Sequence, residues 1–158
     1  MFAVANNPKS PERGILTGEQ LIDLDLSGLE LAVLSACETG LGDVAGGEGV
    51  FGLQRAFHSA GATNVVASLW KVPDASTAAL MALFYHKLWD KNLAPVEVLR
   101  QAQLELYKNP AKIPELAEGF RGTFKDVPGA PDTEVKPGKD GKAHPLLWAA
   151  FILSGPGR

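Results

Sequence analysis

The sequence predicts an α/β domain built on a mostly parallel sheet, and three observations predict it. Short apolar runs at residues 31–36, 64–69 and 147–153 have strand length and little polar interruption, the pattern of strands covered on both faces. Segments of helical periodicity separate these runs. Strands alternating with helices imply right-handed crossovers between parallel strands.

Each element has its own local signal. Residues 1–5 are apolar and read as the tail of a strand closing in the polar loop Asn6-Asn7-Pro8-Lys9-Ser10-Pro11. Thr17-Gly18-Glu19-Gln20 has capping-box spacing, with Leu21, Ile22 and Leu24 as the apolar side of a short helix. Asp25 to Gly28 turns the chain into the first central strand, 31–36, and Cys37 sits at its carboxyl end. Gly40, Gly42, Gly46, Gly47 and Gly49 then make a loop too glycine-rich to be helical. Helical periodicity starts at Val50, runs through Leu53, Ala56 and Phe57, and stops at Gly61, a natural C′ residue. The second strand follows. Pro73 breaks the pattern, Asp74 suits an N-cap, and Leu80, Leu83, Phe84 and Leu88 mark a long helix ending near Asp90. Pro95 opens another helix at its N1 position, with Leu99, Ala102, Gln103 and Leu106 inward, ending before Asn109-Pro110. Residues 109–143 hold five prolines and no periodicity, and read as a long Pro/Gly-rich surface loop inserted before the last strand.

The 158 residues are enough for one domain, and a 46% hydrophobic fraction supports a packed core. Three interior-type strands and one partial one fall short of an ordinary sheet, so pairing strands are expected upstream of Met1 or from another chain. A net charge of −3 without a basic stripe argues against nucleic acid as a partner. The single cysteine fits a reducing compartment and leaves no thiol pair for a zinc site; no metal or cofactor is expected. No run approaches a membrane span and the N-terminus lacks a signal-peptide pattern, so a cytoplasmic protein is expected.

In a parallel sheet the site lies outside the carboxyl ends of the strands, which is where Cys37 falls. Ahead of a glycine-rich loop and a helix N-terminus, a thiolate there is favoured by backbone N–H groups that also hold an oxyanion. A buried, inert cysteine is the alternative. Gly40-Leu41-Gly42-Asp43-Val44-Ala45 satisfies a dinucleotide fingerprint, but helical periodicity begins only at Val50 and the next strand ends in Trp70-Lys71 instead of an acid. A phosphate loop fails because Glu48, not lysine, follows Gly47.

The segment Leu31-Ala32-Val33-Leu34-Ser35-Ala36-Cys37-Glu38-Thr39-Gly40-Leu41-Gly42, then Gly47-Glu48-Gly49-Val50, Arg55-Ala56-Phe57, Ala60-Gly61-Ala62 and Val65-Val66-Ala67-Ser68-Leu69-Trp70-Lys71-Val72, resembles the CHAT domain. That is the caspase-like domain often found beside tetratricopeptide repeats in bacteria. Trp148-Ala149-Ala150-Phe151-Ile152-Leu153-Ser154-Gly155 is similar to the family's last strand, so the likeness spans nearly everything but residues 109–143. The resemblance implies a three-layer caspase-like fold and the Cys-His chemistry of the caspase, separase and clostripain peptidases. Cys37 is then the nucleophile attacking a protein or peptide substrate, with its own N–H in the oxyanion hole and Gly40, Gly47 and Glu48 shaping the adjoining loop. Ser68, Trp70 and Asp74 map onto the substrate pocket; packing accounts equally for Trp70, and helix capping is the favoured account of Asp74.

The family's histidine precedes the cysteine in a His-Gly turn, and no histidine occurs among the first 36 residues. The expectation is a partial domain over residues 1–158, beginning just after its own base and weak or inactive alone. A tetratricopeptide-repeat region or the missing N-terminal segment would be a partner. His58 and His86 read as solvated helix residues, and His144, before the last strand in a parallel reading, as lying at the edge opposite Cys37. The alternatives are a non-catalytic remnant serving as an interaction module and, last, a nucleotide-binding domain.

Overall fold

The structure is a computed structural model and describes residues 16–34, 48–91, 93–121, 138 and 140–158, with the backbone alone for 48–51, 120 and 121. In chain order the elements are α1 (Gly18–Ile22), β1 (Leu31–Leu34), α2 (Glu48–Ser59), β2 (Asn64–Ser68), α3 (Asp74–Lys91), α4 (Pro95–Lys108), α5 (Ile113–Arg121) and β3 (Phe151–Ser154). The expected strand at residues 1–5 lies outside the described residues.

Local chemistry sets the helix ends. Thr17 accepts from the Gln20 amide while the Gln20 side chain accepts from the Thr17 amide, closing the expected capping box of α1. Gly61 ends α2 in a Schellman turn: the Ala62 amide donates to the Phe57 carbonyl at 3.0 Å and the Gly61 amide to His58 at 3.0 Å. Gly61 needs φ of 109°, and a Cβ there would stand 2.7 Å from the Ser27 amide nitrogen, so glycine is required twice over. Pro95 opens α4 at N1 as expected.

Strand order is β1-β2-β3, with β1 parallel to β2 and β3 antiparallel to it. The expectation of a mostly parallel sheet is therefore corrected to a mixed one among the described strands. An apolar run carries no directional information, and both orientations bury it equally. The last strand is also shorter than expected. Residues 145–147 form a 3₁₀ turn and pairing starts only at Phe151.

Alternation along the strands distributes the core. Ala32 and Val65 cluster with Ala62, Leu34 and Phe57 of α2 on one face. Val66, Phe151, Leu31, Val33 and Leu153 join Leu80, Phe84, Leu99 and Leu106 of α3 and α4 on the other. β2 is buried along its whole length, whereas β1 is only partly covered, in contrast to the double burial expected for it.

The reading of residues 109–143 as loop is corrected at its start. Residues 110–112 make a 3₁₀ turn and 113–121 form α5 against α3. Ile113 and Ala117 are buried and Leu116 packs on the main core. Two prolines at 110 and 114 conceal this i, i+3, i+4 stripe, yet both fall at or before the first helical turn, where a missing N–H is harmless.

Candidate functional site

Parallel pairing of Leu34 with Ala67 brings the carboxyl ends of β1 and β2 to one edge of the sheet. Cys37, Gly40 and Gly47 follow β1 but lie outside the described residues. Glu48 is the first residue of α2, two positions before the helical start expected at Val50, and its side chain is outside the described ones.

The residues proposed from β2 onward are placed. Ser68 is buried, and its hydroxyl donates to the Trp70 carbonyl at 2.6 Å, tying down the turn that leaves the sheet. The Trp70 indole packs against the main core and its Nε1 donates to the Leu146 carbonyl at 3.3 Å. Ser68 and Trp70 are thus brought together, and both have structural partners. Asp74 is exposed and opens α3 as its first helical residue, one position inside the N-cap expected for it. Its carboxylate complements the positive end of the helix dipole.

Antiparallel β3 changes where the last segment enters. Phe151 pairs with Ser68, and the Leu69 amide donates to the Ala150 carbonyl at 2.9 Å. Residues 144–150 therefore approach β3 from the carboxyl edge of β1 and β2. His144 belongs to that edge, not the opposite one assigned by a parallel reading. It is exposed, and its Nδ1 accepts from the Leu146 amide at 3.3 Å as the cap of the 3₁₀ turn.

Two groups at this edge carry no sequence signal. The Ser76 and Thr77 hydroxyls in the first turn of α3 are buried and have no hydrogen-bond partner among the described residues. Only the placement of α3 behind the Ser68–Trp70 turn draws notice to them. Nothing in their spacing does so.

Of the other histidines, His86 is exposed as expected, its Nδ1 against the Asp90 carboxylate one helical turn on. His58 is only partly exposed and is held by partners, in contrast to the solvated position expected for it. Its Nδ1 lies 2.9 Å from the Ala62 carbonyl and its Nε2 2.6 Å from the Ser154 hydroxyl. The Schellman turn folds Ala62 back over the helix end, and β3 closes on the same side. Among the described residues no three His, Cys, Asp or Glu side chains could hold a metal ion together, and no helix is long and apolar enough to cross a membrane.

Comparison with protein families gives a match to the CHAT domain over residues 2–156. The chain belongs to the CHAT family. The likeness borne by the Ser35-Ala36-Cys37-Glu38-Thr39-Gly40 segment is that of the chain as a whole. Within curated proteins, this CHAT domain is 40% identical over 74 residues to mouse "Tetratricopeptide repeat protein 28". That alignment takes in 47% of the chain but 3% of the mouse protein, so the chain corresponds to a small part of that relative. No solved structure matches the chain.

Proposed function

We propose that this CHAT domain carries the nucleophile of a caspase-like cysteine peptidase, with Cys37 attacking a peptide carbonyl. Membership of the family over residues 2–156, with Ser-Ala-Cys-Glu-Thr-Gly intact after β1, is the observation that carries the reading. The mixed α/β fold supports it, since β1 and β2 end at one edge and a nucleophile just beyond β1 would meet substrate beside the Ser68–Trp70 turn. Completion of the sheet as a three-layer, caspase-like core is part of the same proposal.

In the proposed step the Cys37 thiolate bonds to the carbonyl carbon, and backbone N–H groups of Cys37 and the Gly40–Gly47 loop hold the oxyanion. The C–N bond then breaks as a histidine, the general acid of the Cys-His pair, gives the departing amine its proton, and water hydrolyses the thioester to the carboxylic acid and the free Cys37 thiol. Glu48 anchors the loop, while Ser68, Trp70 and Asp74 shape the pocket. Turnover by the chain alone is slow in this reading, because no histidine precedes Cys37. The likeness to a tetratricopeptide repeat protein favours a second reading, a non-catalytic interaction module working beside such repeats in an intracellular setting.

A peptidyl acyloxymethyl ketone separates the two. Saturable labelling of Cys37, faster in the folded chain than in urea and slowed by competing peptide, is the result expected of a substrate-binding nucleophile. Labelling that does not saturate and is no faster than in the unfolded chain would leave the interaction module.

A further inference from the structure

At the opposite end of the sheet from the carboxyl ends of β1 and β2, the fold assembles a second nucleophile and base. Ser154 ends β3 opposite Val65, the second residue of β2. Val65 belongs to the face covered by α2, so strand alternation turns Ser154 toward that helix. There its hydroxyl meets His58 Nε2 at 2.6 Å.

The third group fixes the chemistry of the pair. His58 Nδ1 is 2.9 Å from the Ala62 carbonyl, which can only accept, so in the neutral imidazole the ring proton resides on Nδ1. Nε2 is then left with its lone pair toward Ser154, and the hydroxyl donates. A hydroxyl held to an imidazole that is itself oriented by an acceptor is the arrangement of an activated serine.

The pair is reachable. His58 and Ser154 line a groove of about 510 Å³ with Gln54, Arg55 and Ser59 of the same helix face. Gln54 is only 4% exposed, and its Nε2 has no hydrogen-bond partner among the described residues. A buried amide donor without a partner is expensive and points to a polar ligand atom in the groove. Arg55 is exposed beside it and adds positive charge.

From this geometry we infer that Ser154 and His58 form a second acyl-accepting site that takes small activated acyl esters, independent of Cys37. Ser154 Oγ bonds to the ester carbonyl carbon as its proton passes to His58 Nε2. The bond from that carbon to the leaving oxygen breaks, and the oxyanion departs. Gln54 and Arg55 supply donors for the oxygen atoms that carry the charge.

The test uses the full chain carrying Cys37→Ala, treated with p-nitrophenyl acetate, with acetylation of Ser154 read by peptide mass mapping. Base assistance of this kind is worth about 10²–10⁴-fold, so Ser154 should be acetylated at least about 100-fold faster in the folded chain than in the same chain in urea. His58→Gln should remove that advantage, and Ser154→Ala the adduct. A folded chain whose Ser154 reacts no faster than in urea would overturn the proposal whether or not the His58 variant folds. So would an acetylation rate that His58→Gln leaves unchanged.

Discussion

Asn64 shows how one side chain can hold distant parts of a chain together. Fully buried at the start of β2, it donates to the Glu30 carbonyl at 3.1 Å and the Arg158 carbonyl at 3.2 Å, and accepts from the Gly157 amide at 2.8 Å. Asn64→Leu keeps the branched shape but takes the side-chain partner from the Gly157 amide and the Arg158 carbonyl, and should destabilise the fold by about 1–3 kcal/mol. Urea unfolding checks this: a lower midpoint at an unchanged slope is expected. Gly61→Ala places a side chain at φ 109° and against Ser27, and should lower stability by more than about 1 kcal/mol. Because Gly61 also sets the turn that aims Ala62 at His58, the same variant should slow acetylation of Ser154. Asp25 offers a pH test. The Ser27 hydroxyl at 2.6 Å, then the Ser27 amide at 3.1 Å, hold its carboxyl below the ordinary value. A lowered folded value means the contribution is present above the ordinary range and fades as pH falls through the folded one. Carboxyl titration by NMR should show Asp25 moving upward in Ser27→Ala.

The elements differ in how far the sequence reveals them. Capping chemistry is local, so the starts of α1 and α4 and the end of α2 follow from Thr17, Gln20, Pro95 and Gly61 without knowledge of the fold. Strand direction is not local. Nothing in Phe151-Ile152-Leu153-Ser154 states that it runs against β2, and that single fact moves His144 to the other edge and brings Ser154 to His58. α5 was legible in principle from Ile113, Leu116 and Ala117, but Pro110 just before it and Pro114 in its first turn imitate a loop. Its contribution is checked by Ile113→Ala. Ile113 is fully buried against the core, and its truncation should lower stability by about 2–5 kcal/mol; a loop residue would lose almost nothing.

At the scale of the molecule, one mixed sheet keeps the two proposed sites at opposite ends. β1 and β2 end at the edge that receives the Ser68–Trp70 turn and His144, and the family motif with Cys37 follows β1 directly. The Ser154–His58 pair stands at the other end. That the Cys37 motif follows β1 is readable from residue order, because motif and strand are contiguous in sequence; β1 itself is at the edge of the described strands and not in the central position expected for it. The Ser154–His58 pair was not readable, because its members are 96 positions apart in the chain and only antiparallel closure joins them. The central claim, that Cys37 is an activated nucleophile, is tested most directly by its rate of alkylation with iodoacetamide at pH 7, folded against unfolded in urea. A free thiol is only a few per cent thiolate at that pH, so an activated Cys37 should react about tenfold faster or more in the folded chain. A folded rate equal to or below the unfolded one would identify Cys37 as an ordinary buried thiol and contradict the account.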